Sequence, residues 1–391
     1  MNNGWQTKNL GEVCQVVGGG TPPKDRADYY SGDIPWATVR DMRHEMITET
    51  ECKITTQAVR NSATNVIPEG NVVIATRVGL GKICLLGQDT AINQDLRGVI
   101  PNDPRVLSVG FLFWWLKSIA DLIVAEGTGA TVQGVKLPFV KSLQVPLPAP
   151  SEQRRVVGIL DEAFDGIATA KANAEKNLQN ARALFESHLQ SVFSQRGEGA
   201  VEKKLSEVCA ITSTLVDPRK KEFLDLLHVG AGNIVSEKGV LIDLKSAREE
   251  GLISGKFLFD ESMVLYSKIR PYLMKAARPD FNGLCSADMY PLAPMPNHIT
   301  RDYLFHLLLS KRFTNYAIQG SARAGMPKVN REHLFEFRLR LPPVKRQHEL
   351  AAQLDALSAE TQRLESIYQQ KLAALEALKK SLLHQAFSGQ L

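Results

Sequence analysis

Along residues 345–388, apolar side chains recur at alternating three- and four-residue steps. They are Leu350, Leu354, Leu357, Leu364, Tyr368, Leu375, Leu378 and Leu382, with Thr361 and Lys371 filling the gaps. That spacing predicts a long helix carrying a coiled-coil seam. Residues 151–194 carry the same ladder at a constant offset, as Val156, Leu160, Ala163, Ile167, Ala170, Ala174, Asn177, Ala181, Leu184 and His188. The two stretches align without a gap: Gln153 matches Gln347, Leu160-Asp161 match Leu354-Asp355, and Phe193-Ser194 match Phe387-Ser388. Pro-rich segments introduce both, Leu147-Pro148-Ala149-Pro150 and Leu341-Pro342-Pro343. An ungapped repeat of this length predicts an internal duplication. One seam is rich in alanine and the other in leucine. The helices are therefore expected to pair closely and antiparallel, with the polar Asn177 and Lys371 setting the register.

Outside the helices the pattern changes to short β-branched runs bounded by Gly, Pro, Asn and Asp, at 34–39, 72–76 and 82–86. They predict a mixed sheet. Residues 111–126 have no Pro or Gly and predict one buried helix ending at Gly127; residues 303–318 repeat it before Gly320. The second part echoes the first with little identity: 205–209 reproduces 10–14, 263–268 stands where 72–77 stood, and Asp288 falls where Asp95 did. Extended runs at 143–147 and 337–341 return each part to its long helix. The order is thus a unit (1–150), a helix (151–196), a second unit (197–344) and a second helix (345–391). The expected fold class is α+β: two units of mixed sheet plus helices, joined by two long helices in an antiparallel coiled coil, pseudo-twofold overall.

Composition narrows this only a little. A chain of 391 residues is too long for one ordinary core. The net charge of +5, from 47 basic and 42 acidic residues, permits nucleic-acid binding without establishing it. Cys14, Cys52, Cys84, Cys209 and Cys285 are scattered without a CxxC pair, which argues against a disulfide framework or zinc ribbon and for a reducing cytoplasm. The first residues lack the basic-then-apolar pattern of a signal peptide, and the most apolar stretch, 106–116, is too short to span a bilayer.

Catalytic patterns are missing. Residues 78–82 lack the spacing of a phosphate-binding loop, 229–233 lack the third glycine of a dinucleotide loop, and 127–129 follow a helix instead of preceding one. Glycines at positive-φ turns explain all three. The histidines show no metal-ligand spacing. Asp161-Glu162 reads as a solvated helix face. Neither a methyltransferase loop of the Asn-Pro-Pro-Tyr type nor a nuclease carboxylate–lysine set is present, so no catalytic or metal residue is assigned and the chain reads as a binder. The polar residues of its loops suit nucleic acid. In the first unit they are Thr21, Lys24, Arg40, Arg77, Lys82, Asn93, Gln94, Thr128, Thr131, Gln133 and Lys136. In the second they are Arg219, Lys220, Lys221, Asn233, Lys268, Arg270, Tyr272, Arg323, Lys328 and Arg331. Lys and Arg neutralise phosphates, whereas Arg on guanine and Asn or Gln on adenine carry sequence information.

The chain resembles the specificity (S) subunit of type I restriction–modification enzymes. The resemblance rests on Gly18-Gly19-Gly20-Thr21-Pro22, Gly32-Asp33-Ile34-Pro35-Trp36, Asn93-Gln94-Asp95, and the helix entries at Pro148–Arg154 and Leu341–Gln347. It covers essentially the whole chain, although the second unit lacks the Gly-Gly-Thr-Pro run and the Trp motif. It implies a non-catalytic reader of double-stranded DNA. Each unit would be a target-recognition domain for one half of a split sequence, and the helices would fix the gap and dock two modification subunits. It also places S-adenosylmethionine, ATP and magnesium on the modification and restriction/translocase partners and none in this chain. The competing expectation is a stand-alone coiled-coil scaffold or DNA-binding regulator.

Overall fold

The computed structural model describes residues 5–129, 134–194, 199–321 and 326–391. They divide into two compact units, Met1–Glu175 with Gln370–Leu391, and Lys176–Gln369. The repeat helices run Pro150–Ser194 and Val344–Ser388, and each contributes one part of its length to either unit. Among the described residues no helix is long and apolar enough to cross a membrane.

In the first unit a five-stranded sheet is ordered Cys14–Gly18, Leu96–Pro101, Val72–Ala75, Ile83–Leu86, Met46–Ile47. A four-stranded sheet follows the order Cys52–Ile54, Ile34–Ala37, Thr90–Ile92, Asn65–Ile67. Both mix parallel and antiparallel pairs. The strand Gln144–Leu147, which enters the long helix, pairs antiparallel with Gln6–Asn9. The second unit repeats this plan: Arg338–Leu341 pairs with Val201–Lys204, and the parallel pair Leu227–Val229 with Gly283–Cys285 stands where Ile34–Ala37 with Thr90–Ile92 stood.

Each buried helix predicted as one piece is two. The first breaks at Ile119, between Val109–Ser118 and Ala120–Ala125, and the second breaks between Arg301–Leu308 and Lys311–Gln319. At the second break Ser310 caps the new helix, its hydroxyl accepting from Phe313 N and donating to Leu307 O. Serine offers the backbone such local alternatives to helix, and hydrophobic patterning does not register them.

Two pairs of repeat residues bolt the long helices to these buried helices. Gln153 is buried; its oxygen accepts from Ser108 N at 2.9 Å and its nitrogen donates to Val106 O and Pro148 O at 2.7 and 3.0 Å. Gln347 does the same with Thr300 N, His298 O and Pro342 O, at 2.9, 2.8 and 2.9 Å. Asp161 lies on an exposed helix face, as expected, and it also accepts the Trp114 indole N–H at 2.7 Å. Its repeat partner Asp355 bonds His306 at 2.9 Å and also holds Arg278. Burial pushes the Asp355 carboxyl up, but the bonds from His306 and Arg278 outweigh it and hold it at about 2.

The helix pairs also correct the seam. In the first unit Lys171 meets Glu376 at 2.7 Å and Arg155 reaches Leu391 O at 2.8 Å, an antiparallel arrangement. In the second unit Arg182 meets Glu365 at 2.8 Å while Leu189 and Phe193 share a core with Leu354. Leu160, Ala174 and Leu354 are buried, and Ile167, Leu364, Tyr368, Leu375 and Leu382 are half-buried. Leu184, however, is 61% exposed and Leu378 46% exposed, and Asn177 and Lys371 point outward as well. Leu178, Phe185 and Leu189 take over on the first helix; Leu372, Lys379 and Leu383 do so on the second. A straight helix drifts ~20° per heptad against a strict 3.5-residue ladder, and over about four heptads this approaches the ~100° between neighbours. Burial therefore slips toward the next position along both helices, while Ala181, Leu375 and Leu382 stay on the ladder.

Leu354→Ala should destabilise the protein by about 2–5 kcal/mol, whereas Leu184→Ala should stay within about 0.5 kcal/mol. Denaturant midpoints measure both, and a large loss at Leu184 would restore the strict heptad seam.

Candidate nucleic-acid interface

In the first unit, the parallel strands Ile34–Ala37 and Thr90–Ile92 run into two adjacent turns. The first is 38–41. The buried Asp41 accepts Thr38 N and Oγ1 at 2.7 and 2.9 Å on one oxygen and Glu51 N at 2.8 Å on the other. The second is 93–95. Asn93 N donates to Ala37 O at 3.0 Å, and Asn93 and Asp95 close a ring through Asp95 N to Oδ1 and Nδ2 to Oδ2, at 3.1 and 3.0 Å. Asp95 O accepts Thr76 N at 2.8 Å and Arg77 N at 3.2 Å. The glycine run passes beneath this turn: Gly20 N donates to Ile92 O at 3.0 Å, and a Cβ at Gly19 would lie 2.1 Å from Asn93 O. Only glycine fits so close an approach. It delivers Thr21, whose hydroxyl donates to the Gln94 side-chain oxygen.

Thr21, Lys24, Arg40, Asn93 and Gln94 accordingly line one open cleft of about 510 Å³, with Trp36, Thr38, Asp41, Val78 and Asp95. Their roles differ. The Asn93 amide is spent on Asp95. Lys82 lies at the margin, its ammonium donating to Val39 O at 3.4 Å. Arg77 stands 3.8 Å from Asp95 and bridges through its backbone to Gly134, which also pairs with Thr128. Lys136 precedes the helix Leu137–Ser142. Lys24 and Arg40 are exposed and make no ion pair among the described residues. Thr131, Gln133 and, in the second unit, Arg323 lie outside the described residues.

The same hydrogen-bond skeleton recurs in the second unit with other side chains. Gly230 N donates to Asn233 Oδ1 at 2.9 Å, as Thr38 N does to Asp41. Ser286 N donates to Val229 O at 3.0 Å, and Asp288 N to Ser286 Oγ at 3.2 Å, as Asn93 and Asp95 do. Lys275 donates to Ala231 O at 2.6 Å, in the manner of Lys82 to Val39. Val329 N meets Lys268 O at 2.8 Å as Val135 N meets Thr76 O at 2.9 Å. These bonds shift the expected alignment by one residue: Lys268 corresponds to Thr76, not Arg77, and Ile269 takes the arginine's place. In a strand such a slip exchanges the two faces.

Lys328, Asp288 and Arg331 surround Lys268, with Lys328 3.8 Å from the Asp288 carboxylate. Lys268 donates to Ala287 O and lies 5.2 Å from the Tyr290 ring centre. Burial, then Lys328 and Arg331, push its ammonium down, with Asp288 opposing. Arg270, at φ 49°, and the exposed Tyr272 flank a turn bonded to Pro327 O. Asn233 is fully committed, its nitrogen donating to Ile242 O and Asp243 O, both at 3.1 Å. Arg219 pairs with Asp217 in an exposed turn that also carries Lys220 and Lys221. The glycine readings divide: Gly79, Gly81 and Gly129 have positive φ, but Gly230 has φ −103° and belongs to the duplicated turn. Sequence reasoning missed Thr38 and Asp41, and it named Asn233 as a DNA contact and not as a turn closer; the signal in the first unit was a polar pair three residues apart, typical of side-chain-closed turns.

The duplication itself has a counterpart in known proteins. The family described as "Type I restriction modification DNA specificity domain" matches residues 2–179 and again 198–376. The chain belongs to this family. It is accordingly a DNA sequence-specificity subunit. Over 324 residues it is 28% identical to the type I restriction enzyme EcoDI specificity subunit of Escherichia coli, covering 74% of this chain and 71% of that one. It is 32% identical over 193 residues to the EcoR124I/EcoR124II specificity subunit of the same species, covering 48% of each. Two solved structures share the fold. One is a chain from work on complex assembly and conformational transition of the type I R-M system, with TM-score 0.77, 19% identity and coverage of 100% and 99%. The other is the HsdS subunit from Thermoanaerobacter tengcongensis, with TM-score 0.64, 20% identity and coverage of 100% and 98%.

If Lys24 and Arg40 meet phosphate, Lys24→Ala and Arg40→Ala should leave the melting temperature unchanged. Each should weaken DNA binding similarly across sequences and reduce the salt slope by about one. Titrations at several salt concentrations check this, and an unchanged slope would remove the residue from the interface.

Proposed function

We propose that this specificity subunit is a non-catalytic reader of bipartite double-stranded DNA. Residues 1–150 and 197–344 serve as target-recognition domains, each for one half of the target. The helical segments 151–196 and 345–391 set the unread gap and dock two modification subunits. Adenine methylation with S-adenosylmethionine belongs to those partners, and ATP- and magnesium-dependent translocation and cleavage to restriction subunits bound in turn. The setting is the cytoplasm.

One observation carries this reading: a single hydrogen-bonded turn skeleton occurs twice, holding Arg40 and Gln94 in one unit and Lys268 and Lys328 in the other. A constant frame with changed polar groups is what two readers of different half-sites require, since phosphate contacts position while side chains at base edges specify. The repeated glutamine and aspartate bolts support the helices as a shared platform, because they give each unit the same helix entry. The double family match and the likeness to a chain from an assembled type I system favour this over a stand-alone scaffold.

Co-expression with the modification subunit of its own system should yield a complex that methylates adenines within a split motif, whereas the chain alone should methylate nothing. Failure to associate would overturn the docking role, and methylation by the chain alone would overturn the non-catalytic one.

A further inference from the structure

We infer that Val78 is a specificity-determining residue of the first unit, reading the C5-methyl group of a thymine, which rests on the reading that this cleft faces DNA. Val78 sits in the hairpin that joins the strands Val72–Ala75 and Ile83–Leu86, and its φ is 43°. A β-branched residue in the left-handed region is a steric outlier, because its Cβ crowds the backbone. Gly79 and Gly81 in the same hairpin have φ of 74° and 84°, which glycine adopts without that crowding. Position 78 therefore keeps a branched side chain where glycine would relieve strain. Packing does not explain the choice, since Val78 is 52% exposed. It lies at the lip of the cleft that carries Thr21, Lys24 and Arg40.

The tip of the hairpin is held from two sides. Arg77 N donates to Asp95 O, and Lys82 N to Gly79 O, both at 3.2 Å. A Cβ at Gly79 would lie 2.7 Å from Val39 Cγ1, and one at Gly81 would lie 2.8 Å from Val124 Cγ2. The glycines thus let the tip press against the 38–41 turn and the helix Ala120–Ala125, and they leave Val78 on a braced backbone. Preorganised contacts discriminate better than mobile ones. An apolar side chain makes no hydrogen bond to a base edge. What it can read is the thymine C5-methyl, the apolar group of the major groove.

The duplication supplies an independent comparison. Ser267 N donates to Lys275 O as Ala75 N does to Lys82 O, each at 3.0 Å, and Ile269 bridges to Lys328 as Arg77 bridges to Gly134. The next residue, in the place of Val78, is Arg270, and its φ is 49°. Two unlike side chains, neither suited to it, occupy the same left-handed position. A position required only for the turn would favour glycine in both units. The backbone conformation is instead kept while the exposed side chain changes from a branched apolar group to a guanidinium. Arginine suits guanine O6 and N7, so the change of side chain is a change of base read.

The test is selection of duplexes from a randomised library by the full chain in complex with its modification subunits. The wild type should select a split motif containing a thymine whose replacement by deoxyuridine, which removes only the methyl group, weakens binding about 4-fold. Val78→Gly should leave the melting temperature unchanged or raise it, because strain is relieved. It should keep the gap and the other half, and bind the thymine and deoxyuridine duplexes equally. A wild-type complex indifferent to deoxyuridine at every thymine of its motif overturns the assignment of Val78. So does a Val78→Gly complex that still prefers thymine at that position, or one whose melting temperature falls, which would place the side chain in the fold instead of at the base. A wild-type complex that selects no split motif overturns the reading on which the assignment rests.

Discussion

The amides of Gln153 and Gln347 constrain everything that follows them. Each is buried, and each ties the first turn of a long helix both to the strand that precedes it and to the start of a buried helix inside its unit. Leaving such groups unpaired costs about 1–3 kcal/mol apiece, so the helix enters its unit in one way only. Asp161 and Asp355 repeat the lock two turns later, through Trp114 in one unit and His306 with Arg278 in the other. With both ends of a unit's helix entry fixed, the helices share the cores: Leu160 of the first with Leu383 of the second in one unit, and Leu189 and Phe193 with Leu354 in the other.

The same economy governs the clefts. Backbone bonds and buried polar side chains build the turns, and they persist between the units although few of the residues do. Asp41 becomes Asn233, Asn93 becomes Ser286, and the bonds they make remain. Lys82, which resembled a DNA ligand in sequence, holds a turn carbonyl, and Lys275 does the same in the second unit. The outward positions differ: Arg40, Arg77 and Gln94 in one unit, Lys268 and Lys328 in the other, although Lys268 also holds the Ala287 carbonyl.

This division explains what was legible in the chain. The long helices, their duplication and the mixed sheets follow from periodicities that tertiary packing reinforces. The one-residue drift of the seam did not, because a heptad ladder assumes a supercoil that the burial of Phe185 and Leu189 does not follow. The broken helix at Ser310 was hidden by an unbroken apolar run. Around the cleft, residue type marked Lys24, Arg40 and Gln94, but it could not separate them from Asn93, Lys82 and Asn233, whose polar groups are consumed within the protein. Only the bonding pattern distinguishes a polar group that is spent from one that is available.

The central claim is that each unit reads its own half of one target. Replacing residues 197–344 with the corresponding unit of a relative of different specificity, then mapping methylated adenines in cells carrying the complex, tests it most directly. The account predicts a motif in which one half changes while the other half stays as it was. A motif altered in both halves, or unaltered in either, would contradict it.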